Sequence, residues 1–356
     1  MKVLIACGGT GGHIFPGLSL AQELDRRGIR DVLLVGTDHP LEVKLFGSFG
    51  LPYVLLPVAK ISADPVKFVK FISRFFCASA RSAKLLADYK PDVIVGFGGY
   101  ASFPVCLLGA LAGRPLYLHE QNCEAGLANR ILAILAKRVA VSFWETKKAF
   151  GGKAVFTGNP IRRKLLSVSK EEALKSYGFS GDRFTMLVLG GSQGSQRINM
   201  IVGDMLGMLD NREKAGIQII HIAGMKNYED VFARYRTSGV EARVYDFVED
   251  IGTAYALADL VISRAGATAL FEIAVLGIPS IMIPYRFAGG HQYFNAAALE
   301  KAGGTVIMRE EGLTAQMLKD KVFTLIGDMY ALRAMSEAAR KFAVADAAGR
   351  LADCIL

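Results

Sequence analysis

Two glycine clusters in this chain have the residue types and spacing to hold phosphate. Gly8-Gly9-Thr10-Gly11-Gly12-His13 follows the apolar run Lys2 to Cys7 and precedes a stretch of helical spacing, Phe15 to Arg27, closed by Gly28. Glycines let backbone N–H groups approach an anion, and a helix start adds its positive end, so the loop suits a phosphate or pyrophosphate. A tight turn that binds nothing needs fewer glycines than this. The second cluster, Gly190 to Ser195, follows the apolar run Thr185 to Leu189 and adds hydroxyls to the same arrangement, ahead of a helical stretch reaching about Leu209. The dinucleotide spacing G-x-G-x-x-G is not met, because counting from Gly9 its third glycine position is Ile14. At the first helix start the dipole disfavours an imidazolium, which leaves His13 available as a neutral base.

Three further segments carry candidate chemistry. Arg264 to Glu272 reads as a helix start whose small residues admit a ligand to the backbone. Its Glu272 suits either the paired hydroxyls of a ribose or the helix dipole. His291-Gln292, after Gly289-Gly290, offers donors on a loop between two predicted helices. From Asp64 to Lys84, Phe68, Phe71, Ile72 and Phe75 share one helical face beside a stripe of Lys67, Lys70, Arg74 and Arg81. That pattern fits a helix lying on an anionic membrane surface, or a core-facing helix with a charged outer side. No D-x-D occurs, so a departing diphosphate is expected to be met by helix N-termini and side-chain donors, with no metal and no cofactor.

Those segments need a frame. Apolar runs at 32–35, 93–95, 116–118, 139–141, 217–222, 260–262 and 280–283 alternate with stretches of helical length, which predicts two parallel sheets covered on both faces. Thr157-Gly158-Asn159-Pro160-Ile161-Arg162 has turn chemistry, and the domain hinge is expected there. No run reaches the roughly 18 apolar residues of a spanning helix, and no signal peptide is read at the start. Five scattered cysteines without a C-x-x-C pair read as reduced thiols of a cytosol. Residues 1–158 hold 19 Lys and Arg against 11 Asp and Glu, whereas the rest is nearly balanced. A basic first half without a nucleic-acid-binding signature points to anionic lipid as a neighbour and not to nucleic acid.

Taken in order, the motifs GGTGGHIFPGL at 8–18, GFGGYAS at 96–102, HEQNCEAGLANR at 119–130, TGNPIR at 157–162, LGGSQGSQRIN at 189–199, RAGATALFE at 264–272 and HQYFNA at 291–296 resemble the MurG family along nearly the whole chain. Members of that family transfer N-acetylglucosamine from UDP-N-acetylglucosamine to the undecaprenyl-pyrophosphoryl-muramyl-pentapeptide carrier in peptidoglycan synthesis. The resemblance implies an α/β chain of the GT-B type, two Rossmann-like parallel-sheet domains separated by a cleft. Residues 1–160 would form the acceptor and membrane-association domain and 161–336 the donor domain, with a final helix, 337–356, packing back on the first. It implies donor contacts by Thr10, Gly11, Gly12, Asn122, Arg162, Ser192, Val248, Ala267, Thr268, Ala269, Leu270, Phe271, Glu272 and Gln292, with Glu272 on the ribose and Ser192 at the phosphates. The GGTGGH loop at 8–13 and the loop Gly98, Gly99 and Tyr100 would face the acceptor pyrophosphate. Phe271 stands where the family pattern carries a small residue, and Cys123 follows the Asn of HEQN.

The expected reaction is an inverting displacement at the anomeric carbon by the acceptor 4-hydroxyl, with His13 as base and Glu120 as the alternative. A UDP-N-acetylglucosamine 2-epimerase and a non-catalytic nucleotide-sugar sensor are the competing readings. The expected setting is the cytoplasmic face of the cell membrane, held peripherally, beside a wall-synthesis assembly serving cell shape and division.

Overall fold

The computed structural model describes residues 1–59, 64–191, 194–285 and 290–356, with side chains at all of these but 40, 41, 44, 48 and 65–68. The chain folds as two compact units, Met1–Arg162 joined by Ala345–Leu356, and Arg163–Val344. In the first unit the elements run β1 (Val3–Ala6), α1 (Gly11–Arg26), β2 (Val32–Thr37), α2 (Pro40–Ser48), β3 (Tyr53–Leu56), α3 (Pro65–Tyr89), β4 (Val93–Gly96), α4 (Gly99–Leu111), β5 (Leu116–Glu120), α5 (Leu127–Leu132), β6 (Arg138–Val141) and β7 (Ala154–Phe156). The seven strands are parallel in the order β3-β2-β1-β4-β5-β6-β7. Helices cover both faces of such a sheet, which is why β1 and β4 are apolar at every position and buried throughout.

The second unit repeats the plan with α6 (Lys170–Tyr177), β8 (Phe184–Leu189), α7 (Gln196–Leu206), α8 (Asn211–Gly216), β9 (Ile217–Ile222), α9 (Tyr228–Ser238), β10 (Glu241–Tyr245), α10 (Ile251–Leu257), β11 (Leu260–Ser263), α11 (Ala267–Leu276), β12 (Ser280–Met282), α12 (His291–Lys301), β13 (Val306–Ile307), α13 (Ala315–Ile326) and α14 (Met329–Phe342). Its six parallel strands lie in the order β10-β9-β8-β11-β12-β13. In each sheet the strand order reverses direction once at its centre, between β1 and β4 and between β8 and β11. Ligands of open parallel sheets bind outside the carboxyl ends of the strands at such a switch.

The end of the chain corrects an expectation. Residues 337–356 are not one helix: α14 stops at Phe342, Ala343 is extended, and α15 (Ala347–Ile355) starts afresh. The reason lies in the two cores. Leu332 and Met335 of α14 belong to the core of the second unit, whereas Leu351, Ala352 and Ile355 of α15 pack with Leu18, Leu20 and Leu24 of α1. A straight helix cannot bury its apolar stripe in two separate cores, so the chain breaks between them. The first unit also extends to Arg162 instead of 160, because Ile161 is buried and the Arg162 guanidinium lies 4.3 Å from the Phe15 ring centre.

Candidate active site

In the first unit, β1 delivers the chain into the glycine loop and α1 begins at Gly11. Gly9 takes φ +106°, a backbone that glycine alone adopts freely, and Gly98 and Gly99 after β4 take +81° and +76°. The two loops touch. A Cβ added at Gly9 would lie 3.4 Å from the Tyr100 ring, and one at Gly99 would lie 3.4 Å from the His13 ring. His13, Gly11, Gly12, Gly98, Gly99 and Tyr100 are thereby gathered at the β1/β4 switch. Thr10 sits at the N-cap of α1 without a side-chain cap bond, and neither α1 nor α4 carries an acid in its first turn. Their leading N–H groups lack the side-chain caps that Ser169, Ser195, Asp210, Thr314 and Asp328 give to α6, α7, α8, α13 and α14.

Burial pushes the His13 imidazole down to about 4, and its Nδ1 is buried with no hydrogen-bond partner among the described residues. The ring is neutral at physiological pH, as a proton acceptor must be. Tyr100 is held as a phenol, raised by burial and by the charges of Glu42 and Asp38. Beside this loop, Arg162 lies over Phe15, whose ring would meet a Cβ on Gly11 at 3.3 Å.

The β5 loop is built on polar groups that the sequence reading underused. Glu120 is 2% exposed, and both its oxygens are committed. Oε1 accepts from the Asn122 backbone N–H at 3.0 Å, and Oε2 from the Gly126 N–H at 3.0 Å and Asn129 Nδ2 at 2.8 Å. Such a carboxylate organises its own loop, so its geometry does not fit the alternative role of base. His119 Nε2 donates to the Gly158 carbonyl at 3.1 Å while Nδ1 accepts from Gln121, which ties the β5 end to the Thr157–Asn159 turn. Burial pushes the His119 ring down to about 4. Cys123 is buried and its thiol is pushed up to about 11 by burial and nearby Glu145 and Glu124, so it is inert.

In the second unit, Gly191 and Gly194 take φ +85° and +75°, and a side chain on Gly190 would collide with the Ser195 amide. Ser192 lies outside the described residues. The helix start behind this loop is fixed by a buried relay: the Tyr235 hydroxyl donates to His221 Nδ1 at 3.0 Å, His221 Nε2 to Asn199 Oδ1 at 3.0 Å, and Asn199 Nδ2 to the Ala223 carbonyl at 2.9 Å. That carbonyl lies where a side chain on Gly194 would be. Across the switch, α11 starts at Ala267 behind Gly266 with neither a side-chain cap nor an acid in its first turn. Asn295 Nδ2 holds the Ala265 carbonyl, and Arg264 is fixed to Glu310 by two 3.1 Å contacts, so two sequence motifs meet here.

Glu272 is 3% exposed and accepts from the Tyr255 hydroxyl at 3.2 Å. Thr268 and Ala267 are buried and Ala269 is half-buried. Leu270 and Phe271 are buried as well. Both side chains point into the core, Phe271 stacked on Phe342 with ring centres 5.7 Å apart, so only their backbone can meet a ligand. Val248 is half-buried in the segment after the edge strand β10. Gln292 begins α12 instead of lying in a loop, and its Oε1 accepts from the Tyr285 N–H at 2.9 Å.

The expected lipid face of α3 is also corrected. The side chains of Lys67 and Phe68 lie outside the described residues. Phe71 and Phe75 are half-buried, Phe75 against Phe103 of α4, and Arg74 pairs with Asp38 at 3.8 Å. Among the described side chains of α3 the exposed large apolar residues are Val69, Ile72 and Phe76, so Ile72 and the neighbouring Lys70 of the expected face are exposed. Among the described residues no helix is long and apolar enough to cross a membrane.

Comparison with known proteins bears on both units. Residues 3–141 match the glycosyltransferase family 28 N-terminal domain and residues 185–351 match the family 28 C-terminal domain. The UDP-N-acetylglucosamine–N-acetylmuramyl-(pentapeptide) pyrophosphoryl-undecaprenol N-acetylglucosamine transferase of Halothermothrix orenii is 37% identical over 353 residues, covering 96% of this chain and 94% of that protein. The enzyme of the same name from Geobacter metallireducens is 38% identical over 361 residues, covering 99% and 97%. The crystal structure of Acinetobacter baumannii MurG superposes with a TM-score of 0.75 at 28% identity, covering 100% of this chain and 99% of that one. A UDP-N-acetylglucosamine 2-epimerase from Neisseria meningitidis, with a TM-score of 0.74 at 13% identity over 99% of both chains, shares the fold.

Proposed function

The chain belongs to the MurG family of glycosyltransferases, and from that membership we infer that it moves N-acetylglucosamine from UDP-N-acetylglucosamine to a lipid-linked muramyl-pentapeptide. The observation that carries the geometric side of this reading is the pairing, in each unit, of a glycine loop with an uncapped helix start at the strand-order switch. Two such places suit two diphosphates, one on each substrate.

In this account the 8–12 and 98–100 loops take the acceptor pyrophosphate, with Thr10, Arg162 and Asn122 reaching the donor. The 190–195 loop and the start of α11 take the UDP diphosphate, with Glu272 on the ribose. The acceptor 4-hydroxyl attacks the anomeric carbon while the bond from that carbon to the phosphate oxygen breaks, and the electron pair leaves with UDP. The hydroxyl proton passes to the neutral His13 ring, and one displacement inverts the anomeric centre. Helix dipoles and N–H groups meet the charge on UDP, so no divalent cation is required.

Val69, Ile72 and Phe76 of α3, with Lys70 and the basic excess of the first unit, would rest on the anionic cytoplasmic face of the membrane that displays the acceptor. The test is UDP release from UDP-N-acetylglucosamine with and without the lipid-linked acceptor, in the presence of chelator. Release that depends on acceptor and ignores chelator supports the reading. Release or epimerisation without acceptor refutes it.

A further inference from the structure

Glu42, on α2, is 1% exposed and belongs to none of the motifs above. Its carboxylate accepts from the Gly9 N–H at 2.7 Å, the Thr37 N–H at 2.6 Å and the Thr37 hydroxyl at 2.6 Å. All three partners are uncharged. A buried carboxylate is costly unless its hydrogen bonds are complete, so its placement is specific. The backbone is shaped around it: a Cβ at Gly8 would lie 2.7 Å from Glu42 Oε2, and one at Gly36 2.6 Å. Gly8 therefore leaves room for this acid at the end of β1, and Gly36 leaves room for both the acid and the Phe46 ring.

The consequence falls on the loop. Gly9 adopts φ +106° with its N–H turned onto Glu42 Oε1 and the Tyr100 ring against its other side. That bond pins the loop just ahead of the place where α1 begins beside His13. In dinucleotide sites an acid beyond the second strand reaches outward to a ribose; here the acid in that region turns inward and braces the loop.

We propose that Glu42 is a positioning residue that holds the 8–12 loop, the start of α1 and His13 in the geometry that receives the acceptor pyrophosphate. This inference rests on the acceptor reading of that loop given above. It is tested by steady-state kinetics with UDP-N-acetylglucosamine and a soluble muramyl-pentapeptide pyrophosphoryl lipid analogue, each varied in turn. Glu42→Gln keeps the size but turns an N–H donor toward Gly9 N–H or Thr37 N–H. It is expected to raise the acceptor KM about tenfold, the equivalent of one lost hydrogen bond, with the donor KM within about twofold. Thr37→Val, which removes the hydroxyl but leaves the Gly9 N–H on the same oxygen, is expected to raise the acceptor KM about threefold, the low end of one hydrogen bond's worth, and covers the case in which Glu42→Gln fails to fold. Leu24→Ala, in the core at the far end of α1, lowers Tm without splitting the two KM values. The inference is overturned if Glu42→Gln and Thr37→Val leave the acceptor KM unchanged, or raise both KM values together. Gly9→Ala separates the two levels: a rise in acceptor KM keeps the reading of the loop even where the Glu42 inference fails, whereas a rise in donor KM alone removes that reading.

Discussion

His13 offers the most informative perturbation. Burial holds its imidazole at about 4, against an ordinary value near 6.5. At pH 5.5 a group titrating at 4 is almost wholly neutral, whereas one at 6.5 is only about one-tenth neutral. Acceptor-dependent kcat/KM should therefore stay flat within about 1.2-fold from pH 7.5 to 5.5, where a solvated histidine base would lose roughly tenfold. A base this weak contributes at the low end of the usual range, so His13→Gln should lower kcat by about a hundredfold. Stability carries the opposite signature. The unfolded chain takes the proton below about 6.5 and the native one refuses it, so stability falls with pH between about 6.5 and 4, by about 1.4 kcal/mol per unit for this group. His13→Gln removes that share. UDP release across pH 5.5 to 8, with circular dichroism at each pH, measures both. An acid limb centred near 6.5 that vanishes in the variant, or a variant with undiminished turnover, refutes the reasoning.

Other sites give sharper single outcomes. Glu272→Ala should raise the KM for UDP-N-acetylglucosamine roughly ten- to a hundredfold, the worth of a charge-assisted hydrogen bond to a hydroxyl, and leave the acceptor KM in place. His221, held at about 3 by burial, costs the native state about 2 kcal/mol between neutral pH and pH 5, so urea unfolding of His221→Asn should lose less stability over that interval than the parent. Tyr235→Phe strands His221 Nδ1 and should cost about 1–3 kcal/mol of stability at pH 7. Sedimentation with anionic vesicles should show weaker binding of an Ile72→Ser, Phe76→Ser double variant, while Phe75→Ser, at a half-buried position, should lower Tm instead.

What could be read from sequence follows from burial. The central strands were legible because both faces are covered and every position is apolar, as in β1 and β4. The four strands not anticipated, β3, β7, β10 and β13, are the four sheet edges. Edge strands are half-buried, so Glu241 and Arg243 of β10 interrupt no core, and Val306–Ile307 is too short to show a period. The glycine loops were legible because positive φ and close approach leave few residue choices. The side chains that brace them were not: Glu42, Asn199 and His221 act through contacts far apart in sequence, and a lone acid or histidine carries no periodic signal. On α3, Phe71, Phe75 and Phe76 are alike in type, and only contacts such as that of Phe75 with Phe103 decide which are covered.

The central claim is that the two units divide the diphosphates between them, acceptor in the first and donor in the second. The most direct measurement is the pair of KM values for Gly98→Ala and Gly191→Ala, each placing a side chain at a positive φ, +81° and +85°. The account predicts that Gly98→Ala raises the acceptor KM alone and Gly191→Ala the donor KM alone. If both variants raise the same KM, or the two effects are exchanged, the assignment of substrates to units is wrong.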